Sequence, residues 1–384
     1  MPFGAAVSQH PLATHAVGEV VGGVLEQVGP SPDMAVLFAT GGYVGAMEDL
    51  ASTVRSTLAP SIFIGCTAVS VLAGADEVED RAAVALFAAD WQGRLRLGPR
   101  GARAVRFDAQ RDGDGWRLSG TDDVAVDDAT LVLIADPFTF PVDGFLARLH
   151  HQAPGLSVVG GMASAARGPG GNRLVADHVI SDHGAVGVFL PPGVPVRPVQ
   201  SQGCRPIGEP LVVTAGRGNL VERIAGRPAL DLINDLIESA DHRDKSLMGL
   251  GLHLGLVANE RLETFEAGDF LIRKVLGMER ASRSVAVDCE VPLGTTVQFH
   301  VRDPQTADEH LRSSLSGHQG SAALVFTGQD RGEGLFGAPH HDAEVISEHV
   351  NRGATAGMFC SGEIGPVEAQ SFLHSMSTSV LVFD

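Results

Sequence analysis

The chain has 384 residues, of which 44% are hydrophobic and 19% charged, and its formal net charge at pH 7 is −18. This length suits two domains of ordinary size, and the composition excludes a disordered chain. The negative charge would repel a phosphate backbone and an anionic bilayer, which argues against nucleic acid and membrane as partners.

Neither an export signal nor a membrane span is apparent. The first residues, MPFGAAVSQHPLATHAVGEVV, lack a basic region followed by a hydrophobic run, and no stretch is long and apolar enough to cross a bilayer. The four cysteines are far apart and form no CxxC motif, which predicts reduced thiols rather than a disulfide framework or a zinc site: Cys66, Cys204, Cys289 and Cys360. We therefore expect a cytoplasmic protein.

The predicted elements, taken in chain order, repeat one pattern three times. An apolar strand, a helix, a second apolar strand, a turn of small residues and a third strand follow one another from MAVLFAT, from ATLVLIAD and from SAALVFT. In the first two helices apolar residues recur at spacings of three and four, as on one helical face: Met47, Leu50, Ala51, Val54 and Leu58, then Val142, Phe145, Leu146 and Leu149. Internal duplication is the simplest explanation.

A segment rich in proline and glycine, LPPGVPVRPVQSQGCRPIGEP, predicts a domain boundary. Beyond it we predict a hairpin turning at GRGN, a helix opened by Pro228, and a second helix with Asp303 as N-cap and Pro304 in its first turn. The predicted fold is α/β, with strand-helix-strand-turn-strand units that form mixed sheets with packed helices in two domains. We expect an N-terminal extension (1–31), a domain with two units (32–210), and a domain with the hairpin region and the third unit (211–384).

The segment RGEGLFG contains Gly332-x-Gly334-x-x-Gly337 and raises the question of dinucleotide binding. A Rossmann fingerprint needs its first glycine directly after a strand and its third inside the following helix. Here GQDR separates the strand from Gly332, and APHH separates Gly337 from the next helix. We therefore predict a loop whose glycines allow close approach to another segment or to a small ligand.

Several segments resemble the FIST family. SIFIGCTAVSVLAG, VVGGMAS and SQGCRPIGEP look like the N-terminal FIST domain, and FHVRD, GEGLFG and FCSGEIGPVEAQSFLH look like its C-terminal partner. The resemblance implies an intracellular ligand-sensing protein, and some members of the family resemble haem-binding nitric-oxide sensors. No kinase, cyclase or methyl-accepting part accompanies these segments, so we expect a separate signalling protein as partner.

The turns GCTA, GGMAS and FCSGEIGP follow equivalent strands, where α/β folds bind ligands. If they converge, a ligand-binding cleft would be lined by Cys66, Thr67, Cys360, Ser361 and Glu363; alternatively, the small residues only permit tight packing. Arg205 is a candidate anchor for a carboxylate. Its alternative role is a salt bridge with Glu209 or Glu363.

Other candidates have simple structural explanations. His300 and His374 could bind a haem cofactor, although both alternate with apolar residues as buried histidines do. His341, Asp342 and Glu344 or Glu348 could hold a metal, or could form a capped helix start. The RDGDG segment resembles the start of a calcium loop but lacks its remaining ligands. Seven arginines between positions 94 and 117 are typical of a solvated strand pair: Arg94, Arg96, Arg100, Arg103, Arg106, Arg111 and Arg117.

The sequence therefore predicts a protein that binds a small polar metabolite, such as an amino acid, and passes that state to a partner. A haem-based gas sensor, a cysteine-dependent enzyme and a scaffold are the alternatives. For the enzyme, Cys66, Cys204 or Cys360 would need a neighbouring base, and none has a cysteine-protease signature. The ligand, the cofactor, the enzymatic status and the oligomeric state, homo-oligomers included, stay open.

Overall fold

The computed structural model describes residues 2–113, 115–317, 319–350 and 353–384. The α-helices in these residues, numbered in chain order, are α1 (Ala13–Val28), α2 (Met47–Thr57), α3 (Val142–Gln152), α4 (Ala229–Ser239), α5 (His242–Leu250), α6 (Pro304–Leu315), α7 (Glu333–Phe336) and α8 (His341–Ser347). Short 3-10 helices span Gly41–Ala46 and Ala267–Asp269. None of the described helices is long and apolar enough to span a membrane.

Three six-stranded sheets are built in the same way, and their strands are numbered in chain order. The first sheet has the order β1 (Phe3–Ser8), β6 (Val84–Ala89), β2 (Met34–Thr40), β3 (Ile62–Ala68), β12 (Leu174–Ala176) and β13 (Val179–Ser181). The second has the order β26 (Gln370–His374), β25 (Glu363–Val367), β11 (Ser157–Met162), β10 (Thr130–Ala135), β14 (Ala185–Leu190) and β7 (Arg103–Phe107). The third has the order β15 (Val196–Gln202), β27 (Ser377–Phe383), β23 (Ala322–Gly328), β24 (Thr355–Cys360), β4 (Val71–Ala73) and β5 (Asp76–Val78).

The centre of each sheet is a parallel pair of buried strands joined by helix. The pairs are β2–β3, β10–β11 and β23–β24, and in each the first strand also pairs antiparallel with the last strand of its unit. Parallel neighbours need a crossover, which the helical segments supply. Every residue of β2 and β23 is buried, as expected for strands covered on both faces.

The short hairpin of each strand-helix-strand unit pairs with a strand of another unit and so belongs to that unit's sheet. The hairpin β4–β5 pairs with β24, where Val71 faces Met358. The hairpin β12–β13 pairs with β3, where Leu174 faces Cys66. Strand β25 pairs with β11, where Glu363 faces Gly161. Each sheet is therefore completed by a hairpin from another unit, so the three form a closed set.

The inner faces of these sheets share one apolar core. It contains Phe38 of β2, Ile134 of β10 and Phe326 of β23, and the rings of Phe38 and Phe326 lie edge to face with centroids 6.2 Å apart. On the outer faces, α1 and α2 cover the first sheet and α3 covers the second. The apolar stripes predicted for α2 and α3 are confirmed, because Met47, Leu50, Ala51 and Val54, and Val142, Phe145, Leu146 and Leu149, are buried.

A fourth sheet has its own core. Its order is β16 (Cys204–Arg217), β22 (Thr296–Arg302), β19 (Leu252–Val257), β20 (Phe270–Glu279), β21 (Ser284–Val287), β17 (Leu220–Ile224) and β18 (Arg227–Pro228), and α4 covers one face. The hairpin predicted at GRGN joins β16 to β17. The predicted N-cap Asp303 accepts a hydrogen bond from the backbone N–H of Gln305 at 3.3 Å, and α6 begins at Pro304. Outside these sheets, β8 (Ala109–Asp112) and β9 (Gly115–Leu118) form a separate hairpin.

The chain divides into two compact units. Unit 1 comprises Met1–Gln200, Arg312–Leu373 and Ser377–Asp384, and unit 2 comprises Ser201–Leu311 and His374–Met376. Unit 1 therefore contains the central strand pairs of all three strand-helix-strand units. The predicted boundary between two sequence domains at residue 210 is not tested by this division into compact units, and it stays a prediction.

Candidate ligand-binding cleft

A buried ion pair lies directly after β23 in unit 1. The Nε and Nη2 atoms of Arg331 donate to the two carboxylate oxygens of Asp342, at 2.7 and 2.8 Å, and both side chains are shielded from solvent. The hydroxyl groups of Thr327 and Thr378 also donate to Asp342, at 2.6 and 3.0 Å. This bidentate geometry is the strongest form of a carboxylate–guanidinium contact.

The pair is ionised. Burial alone would raise the pKa of Asp342, but the charge of Arg331 and the hydrogen bonds hold that pKa well below its usual range. Burial alone would lower the pKa of Arg331, and the neighbouring Asp342 raises it. The third guanidinium nitrogen, Nη1, is buried and has no hydrogen-bond partner among the described residues. A buried donor of this kind is rare unless water or a ligand satisfies it.

Two adjoining cavities lie beside this pair, and together we call them the acidic cleft. Their volumes are about 370 and 710 Å³, and both are lined by Glu79, Arg81 and Glu333. Carboxylates outnumber cationic groups in the lining, which also includes Asp76, Glu77, Asp80, Asp330, Arg331 and His340. The larger cavity lies at the carboxyl ends of the third sheet's parallel strands, because Gln329 and Phe359 line it.

The segment 332–337, which we call the glycine loop, closes against one carboxylate of the acidic cleft. The sequence predicts a loop here, but Glu333–Phe336 form the single-turn helix α7 between Gly332 and Gly337. Gly332 has a φ of +69°, and a Cβ atom there would lie 2.5 Å from a carboxylate oxygen of Glu79. The next backbone N–H, of Glu333, donates to Glu79 at 2.9 Å. The loop therefore approaches hairpin β4–β5 of the first strand-helix-strand unit. Glycine is needed at position 332 because its φ is positive and because a side chain would collide with Glu79.

Two further carboxyl groups near the ion pair have raised pKa values. Burial raises the pKa of Glu77 to about 7, helped by the negative charge of Asp342. Burial likewise raises the pKa of Glu363 to about 8, although the backbone N–H and hydroxyl of Ser377 donate to it at 3.0 and 2.8 Å. The Oε2 atom of Glu77 is buried without a hydrogen-bond partner in the described residues. Perturbed carboxyl groups of this kind are more common at functional sites than elsewhere.

Of the predicted ligand-binding residues in unit 1, the two cysteines lie in the interior. Cys66 and Cys360 belong to the apolar core, and the Sγ of Cys66 lies 3.1 Å from the Sδ of Met358. Burial raises the pKa of both thiols, and the charge of Glu363 adds to the effect at Cys360. A thiol held in this state is a poor nucleophile, so the cysteine-enzyme alternative gains no support.

Thr67 and Ser361 serve the backbone around these turns. The hydroxyl of Thr67 accepts the backbone N–H of Arg173 at 2.9 Å, and the hydroxyl of Ser361 donates to the carbonyl of Ala163 at 3.3 Å. Neither residue lines the acidic cleft, whereas Val69, Ser70 and Phe359, which lie close to them in sequence, do. A ligand-binding role for the five predicted residues of unit 1 stays a prediction.

Arg205 lies in unit 2 and is held by two acids. It donates to Asp303 at 3.1 Å from Nε and forms a second ion pair, through Nη2, with Asp244. Both partners lie in unit 2 and differ from the expected Glu209 and Glu363. The guanidinium therefore already has carboxylate partners of its own.

His300 and His374 also lie in unit 2, and both are fully buried. The Nδ1 of His300 lies 3.0 Å from the carbonyl oxygen of Gln298, so it carries the proton, and Nε2 has no partner among the described residues. Burial lowers the pKa of His300 to about 4. Haem would need open space beside an imidazole nitrogen, but the His300 ring packs against Phe270 and its Cε1–Nδ1 edge lies against Gly255. Neither histidine lines the acidic cleft. The close packing around His300 does not fit haem.

Helix α8 begins in the HHD segment, at His341, but Asp342 does not cap it: the N-cap residue is His340, and Asp342 lies inside the first turn. Asp342 pairs with Arg331, the ring of His341 stacks on Phe336, and the described residues contain no group of three or more histidine, cysteine, aspartate or glutamate side chains that could hold a metal. The RDGDG segment includes residue 114, which lies outside the described residues.

Sequence reasoning missed Arg331, Glu77, Glu79 and Arg81. The available signal was position: Arg331 directly precedes the glycine loop, and Glu77, Glu79 and Arg81 follow the first small-residue turn. Their meeting depends on the exchange of hairpin β4–β5 into the third sheet.

Comparison with known proteins places the whole arrangement in one family. The FIST N domain matches residues 33–227 and the FIST C domain matches residues 229–366. The chain belongs to the FIST family. FIST domains are generally small-ligand sensory domains, and they are associated with signalling.

Relatives of this FIST protein occur in mycobacteria. It is 35% identical to an uncharacterized protein of Mycobacterium bovis over 393 aligned residues, which cover 100% of this chain and 99% of the relative. It is 34% identical to an uncharacterized protein of Mycobacterium tuberculosis over 391 aligned residues, which cover 100% of both chains. These relatives extend the similarity over both FIST domains.

Proposed function

We propose that this FIST protein senses a small zwitterionic metabolite, such as an amino acid, which binds in the acidic cleft. The proposal rests on the three side chains that line both cavities, one guanidinium and two carboxylates: Arg81, Glu79 and Glu333. An amino acid presents the complementary charges, a carboxylate and an ammonium group. The cavities are of the size that small ligands occupy.

Arg81 is the carboxylate-binding group of this proposal. Its side chain is exposed, and it forms no ion pair with the part of the chain that the structure describes. A free guanidinium can bind a carboxylate through two parallel hydrogen bonds. Arg331 has a structural role instead, because its Nε and Nη2 atoms already bind Asp342. That ion pair fixes the loop on which Glu333 lies.

Glu79 and Glu333 are the ammonium-binding groups. The Glu79 carboxylate already accepts the backbone N–H of Glu333, which keeps the two residues together. Burial raises the pKa of Glu79, and a bound ammonium group would lower it by favouring the charged form. Ligand binding would thus fasten the glycine loop to hairpin β4–β5, and a partner protein would read that change.

Calorimetric titration with the twenty standard amino acids tests the proposal. We expect at least one to bind, and we expect Arg81→Gln to weaken its binding at least about tenfold, as loss of a charged hydrogen bond does. Arg117→Gln is the matched control, because Arg117 is an exposed arginine of the β8–β9 hairpin, pairs with Asp112 and lies outside the acidic cleft. Absence of binding by all twenty, or unchanged binding in the Arg81 variant, would overturn the proposal.

The haem-sensor alternative has a direct test of its own. Native and denaturing mass spectra of freshly purified protein would differ by the mass of haem if it were bound. The packing around His300 leads us to expect no such difference.

A further inference from the structure

A third cavity of unit 1 lies at the opposite ends of the strands from the acidic cleft. It has a volume of about 330 Å³ and is lined by Trp91, Arg94, Leu95, Arg96 and residues 191–195. These segments follow β6 and β14, whose last residues face the first residues of β2 and β10 in the ladder. We call this cavity the Trp91 pocket.

The walls of the Trp91 pocket are apolar and fixed. Trp91 is 2% exposed, and its ring contacts those of Phe3 and Phe383 with centroids 6.2 and 6.1 Å away. Leu95 is also buried. Three of the five residues in 191–195 are prolines, which restrict the backbone and supply no N–H donor.

The donors of this pocket are side chains. The indole Nε1 of Trp91 is buried without a hydrogen-bond partner in the described residues. Arg94 and Arg96 are exposed, and the structure gives neither guanidinium an ion pair within the described part of the chain. Three acids lie near this segment. Asp33 accepts the backbone N–H of Trp91 and Asp90 accepts that of Gln92, both at 2.7 Å. The backbone N–H of Asp384 donates to Pro195, and its side chain pairs with Arg197 at 2.5 Å.

Arg94 and Arg96 carry positive charge on a chain whose formal net charge is −18. Two such groups at the mouth of an apolar cavity would attract an anion against the charge of the whole protein. The cavity volume is at the lower end of the range for small-molecule sites and leaves room for a compact body beside the charge. A solvated strand pair would explain why these arginines are exposed, but it would not explain the cavity beside Arg94 and Arg96.

We propose that the Trp91 pocket binds a small organic anion, a carboxylate or phosphate carried on an apolar ring or short chain. Arg94 and Arg96 hold the anionic group, and Trp91, Leu95 and the proline wall cover the apolar body. This site is separate from the acidic cleft, whose charge suits a ligand with a cationic group.

Fluorescence offers a selective readout, because the chain contains two tryptophans. In a Trp116→Phe background the signal comes from Trp91 alone. Titration with phenyl phosphate and with benzoate should change that signal saturably. The response should weaken as salt is added, since the arginines are exposed. Benzyl alcohol and inorganic phosphate, which each lack one half of the ligand, should bind at least about tenfold more weakly.

The variant Arg94→Gln/Arg96→Gln should weaken phenyl phosphate binding about tenfold or more. Arg100→Gln is the matched control, because Arg100 is exposed on the same loop but does not line the pocket. Circular dichroism should show an unchanged fold for both, since exposed side chains are replaced. Equal binding of benzyl alcohol, equal binding of inorganic phosphate, or full binding by the double variant would each overturn the proposal.

The proposals for the acidic cleft and for the Trp91 pocket can be tested independently. Arg81→Gln alters the acidic cleft and should leave phenyl phosphate binding unchanged. A loss of phenyl phosphate binding in that variant would place the anion in the acidic cleft and would overturn the assignment to the Trp91 pocket.

Discussion

Arg331 and Asp342 form a two-pronged ion pair with no solvent contact, eleven residues apart along the chain. Such a pair positions the glycine loop between them, because both ends of the loop are held at one point. Removing one partner leaves the other as an uncompensated buried charge, whereas removing both leaves none.

We therefore expect Arg331→Met to lower the free energy of unfolding by about 3–5 kcal/mol. Asp342→Asn should have a similar effect, and the double variant should lose less than the sum of the two, with a coupling of about 1–3 kcal/mol. Urea denaturation measures all three. Arg117→Met, which breaks an exposed ion pair with Asp112, should cost no more than about 1 kcal/mol. Additive losses at Arg331 and Asp342 would contradict the coupling.

Glu363 and Glu77 should make the protein less stable as the pH rises. Their pKa values are raised to about 8 and about 7, against a usual 4.5. Between pH 5 and 8 the folded state keeps protons that the unfolded state has lost, so stability decreases with pH, by at most about 1.4 kcal/mol per pH unit for each group. Asp342 acts in the opposite direction, but only in more acidic solution, because its pKa is lowered.

Thermal or urea unfolding between pH 5 and 8 measures this dependence. Glu363→Gln replaces the carboxyl group with a neutral one of the same shape, so it should flatten the profile and raise stability at pH 8. Glu344→Gln changes an exposed residue and should keep the wild-type profile. The same slope in Glu363→Gln as in the wild type would show that Glu363 does not titrate in this range.

Gly332→Ala should destabilise the folded protein, and Gly334→Ala should not. At Gly332 the backbone has a φ of +69° and a Cβ would lie 2.5 Å from a Glu79 oxygen, whereas at Gly334 nothing lies within 4 Å. We expect a loss of about 1–3 kcal/mol for the first variant and a change within about 1 kcal/mol for the second. Chemical denaturation gives both values, and equal effects would mean that Glu79 moves aside without cost.

The thiols should differ sharply in reactivity. Cys66, Cys204 and Cys360 are buried, whereas Cys289 is partly exposed. At neutral pH a disulfide reagent such as Ellman's should modify one thiol in the folded protein and four after denaturation. Cys289→Ser should abolish the fast phase. Rapid reaction of Cys66 or Cys360 in the folded protein would instead favour the cysteine-enzyme alternative.

The local elements of this fold are predictable, and their exchange between units is not. Strand β2, helix α2 and strand β3 follow from apolar patterns that each segment carries by itself. The three-residue strand Val71–Ala73 has no such pattern, and its partner Met358 lies in another unit. Short strands depend on tertiary contacts for both existence and register.

The same limit explains the site. Charged residues are normally exposed, so the sequence favours a solvated Arg331. Only the fold shows that Arg331 pairs with Asp342 in the interior, where two threonine hydroxyls also donate to the Asp342 carboxylate. The small-residue turns were a useful guide to the region. They pointed to Cys66 and Cys360, which face the core, whereas the cleft is lined by residues a few positions away.

The exchange of hairpins also sets the order in which this chain can mature on the ribosome. Strand β4 is synthesised long before its partner β24, so hairpin β4–β5 has no strand to pair with until β24 emerges from the ribosome. Contacts of such large sequence separation slow folding and expose strand edges to aggregation. The third sheet therefore gains its full set of strands only after β24 and β27 have been synthesised.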